Sequence, residues 1–309
     1  MKLRWWILSA VVVVVGIVIL AAPNLLFHAL LGKPSRSAKV PEYYKQMPHY
    51  LASQDGRERM KTAEVEDLTL TSRDGLQLHG YFYPAEQESK KFVLFVHGYR
   101  SYARAEIAPF FEFYHDSGFN ILAVDDRAHA PSEGEYIGFG VLDRLDCVDW
   151  AKKLVELHGE DIQILLHGVS MGGATVLSAS GEAELPEQVQ GVVSDCGFSS
   201  AWEIIGYQLK EALHLPAGML PRLEKVCQKK AGYDFHEHAA IDQVKQARVP
   251  ILFVHGELDT MVPVHMARDL YEACTSEKEL LLVPEAAHGE SIAFAREQYE
   301  QTILDFFKL

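Results

Sequence analysis

Three residues in this 309-residue chain have the types and setting for nucleophilic chemistry: Ser170, Asp259 and His288. Ser170 is the centre of Gly168-Val169-Ser170-Met171-Gly172. The short apolar run Ile162 to Leu166 before it reads as a buried strand. Gly173, Ala174 and Thr175 after it open a helix-compatible segment. A serine on so tight a strand-to-helix turn takes a strained backbone. The residues two places either side must be small, because strand and helix pass close together there. Asp259 follows the strand pattern Val249 to Val254, within His255-Gly256-Glu257-Leu258-Asp259. His288 follows the run Leu280 to Val283, within Pro284-Glu285-Ala286-Ala287-His288-Gly289. A serine, an imidazole and a carboxylate can make an activated alkoxide, a proton shuttle and an orienting anion. Each has a plainer alternative. Ser170 could simply cap a helix, and Asp259 could close a turn with its own side chain. His288 competes with thirteen other histidines, of which His97, His167 and His255 each stand at a strand end and suit loop-fixing.

Those residues must be held by alternating elements. Asp67 to Ser72 and Leu76 to Tyr83 flank Asp74-Gly75, a hairpin signal. Strand patterns follow near 92–96, 120–124, 162–166, 190–194, 249–254 and 280–283. Helical patterns lie near 103–117, 142–158, 172–182 and 264–274, and Ser291 to Phe307 closes the chain. Such alternation predicts an α/β fold: a mainly parallel, eight-stranded sheet with helices on both faces. Residues 199–246 break the alternation with Trp202, Ile204, Ile205, Tyr207, Leu209 and further apolar residues. They read as a helical insertion or lid, packed by one face and open to substrate on another.

The order Ser, Asp, His resembles that of the α/β-hydrolases. The resemblance runs from about residue 63 to the end, and is to the serine-aminopeptidase-like and Bem46-like branch, which includes membrane-anchored bacterial hydrolases. It implies an oxyanion hole made by the backbone N–H groups of Tyr99, after the strand Phe92 to Val96, and Met171. It also implies Asp195 as the rival triad acid, because some members place the acid after the sixth strand. Asp125-Asp126-Arg127-Ala128-His129-Ala130-Pro131-Ser132 resembles the family's D-x-R-G-x-G-x-S loop, with Ala128 and Ala130 in place of both glycines. The implied activity is a serine hydrolase, a carboxylesterase first, acting on a small-molecule acyl substrate without cofactor or metal. A peptidase, thioesterase or acyltransferase could use the same residues. A membrane-tethered binding protein that keeps the fold without turnover is the reading from a different class.

Composition bounds the rest. Trp5 to Ala22 is an 18-residue apolar run after Lys2 and Arg4, near the least length for a spanning helix. With a poor cleavage site and Pro23 behind it, it reads as an uncleaved signal anchor. Residues 1–4 are then a tail, 5–22 a single transmembrane pass, 23–62 a juxtamembrane linker with a short helix from Tyr43 onward, and 63–309 the catalytic domain. The nearer positive charges favour an internal amino terminus and an extracellular enzyme at the cell membrane. The net charge is −14, but residues 1–62 hold nine Lys/Arg against three Asp/Glu, and the remainder twenty against forty. A basic segment beside an acidic body suits an anionic membrane surface and excludes nucleic acid as a partner. Four separated cysteines give no metal spacing, and permit disulfides without demanding them.

Overall fold

The structure is a computed structural model that describes residues 21–34, 44–129 and 131–309. Eight strands form one sheet in the order β1-β2-β4-β3-β5-β6-β7-β8: β1 Glu66–Thr71, β2 Gln77–Tyr83, β3 Lys91–Val96, β4 Asn120–Asp125, β5 Gln163–Val169, β6 Val189–Asp195, β7 Ile251–Gly256 and β8 Lys278–Val283. Six strands, β3 to β8, run parallel, and β1 and β2 are antiparallel at one edge. The inner parallel strands are mostly apolar because both of their faces are covered. Successive side chains serve opposite faces. Phe92, Leu94 and Val96 enter one core with Val148, Trp150 and Val176. Val93 and Phe95 enter the other with Phe110, Phe111, Tyr299 and Ile303.

The helices are α2 Pro48–Ala52, α3 Gln54–Arg59, α4 Ala103–Glu106, α5 Ala108–Asp116, α6 Asp143–His158, α7 Met171–Ser180, α8 Ala201–Glu211, α9 Leu220–Ala231, α10 Ala240–Gln243, α11 Val264–Ala273, α12 Ser291–Phe294 and α13 Arg296–Phe307. Residues 21–31 form a helix ahead of them, α1. The single helix expected near 103–117 is two, because Pro109 occupies the first turn of α5 and lacks the N–H that would continue a helix. The closing helix is likewise divided at Ala295.

The expected anchor and linker meet the described residues only in part. No helix among the described residues is long and apolar enough to cross a membrane; of the expected anchor, all but Ala21 and Ala22 lie outside those residues. The described parts of 23–62 are packed on the body rather than strung as a tether. Gly56 of α3 faces the Ala108 carbonyl, Met60 enters the second core, and Arg296 donates to Ala52 O at 3.0 Å. Phe27 and Leu31 of α1 are fully buried. The insertion between β6 and β7 is helical, carrying α8, α9 and α10. With α1 it builds a third cluster containing Ala128, Met171, Phe198 and Val262. Those four follow the ends of β4, β5, β6 and β7, so this cluster covers the carboxyl ends of the strands. Strand order reverses around β3, whose neighbours are β4 and β5, and a crevice at such a reversal is where open α/β sheets bind ligands.

Candidate active site

The tight turn after β5 is built by two close approaches. A Cβ at Gly168 would run into the Gly172 carbonyl, and one at Gly172 into the Val96 carbonyl. Only hydrogen fits at either place. Ser170 between them has φ 57° and ψ −114°, a strained backbone that persists only where its surroundings over-determine it. Those surroundings are Ser170 N donating to Asp195 O at 2.8 Å and Ser170 O accepting from Ala174 N at 3.0 Å. The hydroxyl is thereby presented at the amino end of α7.

The loop after β8 brings His288 to that hydroxyl, with Nε2 2.9 Å from Ser170 Oγ. On its other side Nδ1 lies 2.6 Å from Asp259 Oδ2. Asp259 Oδ1 accepts from the amides of Met261 and Val262, both at 2.8 Å. Burial by itself would push the Asp259 carboxyl up. Hydrogen bonds from His255 and His288, the His288 charge and the Val262 amide outweigh it and hold the group well below the usual carboxylate range. An ionised carboxylate only accepts, so Nδ1 carries the proton and Nε2 accepts from Ser170. That tautomer is the one a general base needs.

Asp195 stands elsewhere. It is fully buried, and burial pushes its carboxyl up to about 6 against the counter-effects of His255, Tyr299, His288 and Ser291. It makes no hydrogen bond to His288 among the described residues; its carbonyl, not its carboxylate, serves the serine turn. The loop-fixing histidines have partners. His97 Nε2 accepts from Asp126 N at 3.1 Å, and burial, then His129, lowers its imidazole to about 3. His167 sits between the Tyr114 and Tyr299 hydroxyls at 2.8 and 3.2 Å. His255 Nε2 donates to Val262 O at 2.8 Å and so pins the loop that carries Asp259.

Val96 lies opposite Gly168 in the β3/β5 pairing, so two residues onward Gly98 comes beside Ser170 and Tyr99 opens the adjoining loop. Met171 begins α7, where amide groups have no intrahelical partner. Among the described residues no protein acceptor takes the Tyr99 or Met171 N–H. His129 was not singled out by sequence pattern, yet its Nε2 accepts from Arg100 N at 3.1 Å and so braces the same loop. Burial lowers this imidazole to about 4, which keeps the ring neutral and able to accept. Ala128 keeps a glycine-like φ of 61° although it is alanine, held by its amide on Glu133 O at 2.7 Å. Ala130 lies outside the described residues.

Among the described residues, two groups of ligating side chains converge: Cys196 with Asp259 and His288, and Glu224 with Asp234 and His236. In the first, Asp259 and His288 are engaged with each other and with Ser170. In the second, the carboxylates accept from His236 and from the Phe235, His236 and Glu237 amides. The four cysteines are free, buried thiols.

Residues 87–238 match the family model for serine aminopeptidase, S33. Pyrococcus furiosus esterase Pf2001 superposes with a TM-score of 0.68 at 23% identity, over 90% of this chain and 97% of that one. The chain has the α/β-hydrolase fold. Pyrococcus horikoshii acylaminoacyl peptidase has the same hydrolase fold, with a TM-score of 0.59 at 19% identity over 81% of this chain and 42% of that one. Among curated proteins, YqkD of Bacillus subtilis (strain 168), described as uncharacterized, is 25% identical over 250 residues, 81% of either chain.

Proposed function

We propose that this α/β hydrolase is a serine hydrolase that cleaves carboxylic esters through an acyl-enzyme. The observation that carries the reading is the Ser170–His288–Asp259 chain, at 2.9 and 2.6 Å, with the serine on a strained turn. Ser170 Oγ attacks the acyl carbon while His288 Nε2 takes its proton. The electron pair of the carbonyl moves to oxygen, where the Tyr99 and Met171 N–H groups stabilise it. Collapse expels the alcohol, which receives the proton from His288. Water then enters with His288 as base and releases the acid, restoring Ser170. Asp259 keeps the imidazole in the working tautomer and stabilises the imidazolium.

Replacing Ser170 with Ala should lower turnover by on the order of 10⁶ and abolish fluorophosphonate labelling, with the thermal melt unchanged. A variant that retained a tenth of the activity would overturn the assignment, and absence of labelling in the wild type would favour a non-catalytic binding protein. The match to a serine aminopeptidase model supports peptidase action as the second reading. A p-nitrophenyl ester series run beside aminoacyl p-nitroanilides separates the two; thioesters and acceptor alcohols extend the comparison to thioesterase and acyltransferase chemistry.

The apolar run Trp5 to Ala22 supports a single-pass anchor in the cell membrane, with the hydrolase outside. The full chain should then sediment with membranes and resist carbonate extraction. Protease added to intact cells should digest the catalytic domain; a protected domain would reverse the orientation, and a soluble chain trimmed near Ala22 would make the run a cleaved signal.

A further inference from the structure

The helix over residues 21–31 reaches the loop that carries one of the two oxyanion donors. Its docking is specific. Phe27 and Leu31 are fully buried beside Ile137, Met171 and Phe198. The Phe27 ring lies 4.9 Å from that of Tyr136. Beyond the helix, Ile137 N donates to Leu31 O at 2.8 Å and Lys33 N to Glu135 O at 2.9 Å, with a bridge between Gly32 and Tyr136. Lys33 Nζ reaches Ser132 O at 2.7 Å.

The carboxyl end of any helix exposes carbonyls with no partner inside the helix and carries partial negative charge. Here the loop after β3 takes two of them. The Tyr99 hydroxyl donates to Leu30 O at 2.6 Å, and the Arg100 guanidinium donates to Ala29 O. Arg100 holds a φ of 58° and stands 5.3 Å over the Tyr99 ring. Tyr99 thus stands between the helix and the serine: its side chain holds the helix, and its backbone follows Gly98, which lies against Ser170. Strain at Arg100 needs an external restraint, and α1 and His129 supply it.

We propose that the buried face and carboxyl end of α1 position the oxyanion hole: by holding the Tyr99 side chain they aim the Tyr99 N–H at the developing oxyanion, and Phe27, Leu31 and the Tyr99–Leu30 contact therefore set kcat. The inference rests on the reading of Ser170 as nucleophile and of the Tyr99 N–H as an oxyanion donor. Tyr99 acts catalytically through its backbone; its hydroxyl, Phe27 and Leu31 are positioning groups. Loss of a whole oxyanion donor costs about 10²- to 10³-fold in kcat. A donor that is present but poorly aimed should cost about tenfold on the same scale.

The test compares full-length wild type, Tyr99→Phe, Phe27→Ala, Leu25→Ala and Ser170→Ala in detergent micelles. Leu25 lies on the same helix but is 70% exposed. The readouts are kcat and KM for p-nitrophenyl butyrate, the inhibition constant of an alkyl trifluoromethyl ketone, whose serine adduct bears the oxyanion, and the melting temperature. Tyr99→Phe removes one oxygen and keeps the ring, so it is the variant expected to stay folded. The expected result is kcat down about tenfold in Tyr99→Phe and Phe27→Ala with KM nearly unchanged, the ketone weakened by the same factor, and Leu25→Ala like wild type. Folded Tyr99→Phe with wild-type kcat and ketone affinity overturns the proposal. So does a fall in kcat without weaker ketone binding, which marks a merely structural contact. Activity persisting in Ser170→Ala would instead sink the hydrolase reading beneath it, so the two failures are distinct.

Discussion

Asp195 and Asp259 stand at the ends of neighbouring strands, and their surroundings push them in opposite directions. Two backbone amides and two imidazoles surround Asp259 and keep it ionised. Asp195 is buried without comparable compensation, and its carboxyl rises to about 6. A residue that must stabilise an imidazolium has to be charged at working pH, which favours Asp259. Asp259→Asn should lower kcat by about 10⁴, the effect of forcing the wrong tautomer, while Asp195→Asn keeps most of the activity. Asp195→Asn carries a second signature. An unfolded aspartate titrates near about 3.9, so the folded state favours the protonated form, and Asp195 costs stability as pH rises from about 4 through about 6. Removing that charge should help the variant relative to wild type by about 2 kcal/mol more at pH 7.5 than at pH 4.5. Urea melts at the two pH values read this directly; an equal difference at both would deny the perturbed titration.

At the scale of the element, the turn between β5 and α7 depends on backbones touching backbones. Gly172 meets the Val96 carbonyl and Gly168 meets Gly172 itself, so no side-chain rotation can make room at either site. Gly172→Ala should cost roughly 1–3 kcal/mol through overpacking and displace Ser170 from His288. The folded fraction should then label with fluorophosphonate far more slowly than wild type; equal labelling would mean that the turn tolerates a shift. Positive φ at Ala128 shows the other solution to a demanding backbone. Alanine can hold a left-handed conformation at a cost of about 1–2 kcal/mol when its amide and its burial hold it there.

At the scale of the molecule, Arg127 ties distant parts together. Its guanidinium grips Asp146 of α6 with two bonds at 2.7 and 2.8 Å and reaches Asp74 of the first hairpin at 2.9 Å. Arg127 and Asp146 are both nearly fully buried, and Asp143 and Asp126 add buried carboxyls nearby. Arg127→Met should destabilise the fold by about 3–5 kcal/mol at pH 8, because the carboxylates are left without their cation. Burial raises Asp146 to about 6 even beside Arg127. Without Arg127 the Asp146 carboxyl titrates higher still, so the deficit should shrink as pH falls from 8 toward 6, where the orphaned carboxyl takes up its proton before the paired one does; a deficit independent of pH would mean lost packing rather than lost charge pairing. Charge is also divided along the chain, basic before residue 63 and acidic after it, which suits a body held off an anionic surface.

The strands, their order along the chain and the serine turn were legible in the sequence because their signals are local. A buried parallel strand must be apolar on both faces, and a backbone crossing must have glycine. The positions of Asp259 and His288 after late strands were legible for the same reason. What the sequence left open was which strand-end aspartate meets the histidine. Asp195 and Asp259 look alike in one dimension; the arrival of the loop after β8 beside the loop after β7 separates them. The seating of the amino-terminal segment is hidden from the sequence for a related reason. Residues 24–33 continue an apolar run, and hydropathy measures the wish to leave water without naming the partner. Tertiary structure supplies that partner, seating Phe27 and Leu31 against the cover of the site and placing the helix end on Tyr99. Contacts between residues some seventy positions apart leave no periodicity to read, because they depend on where the sheet brings the loops, not on what lies next along the chain.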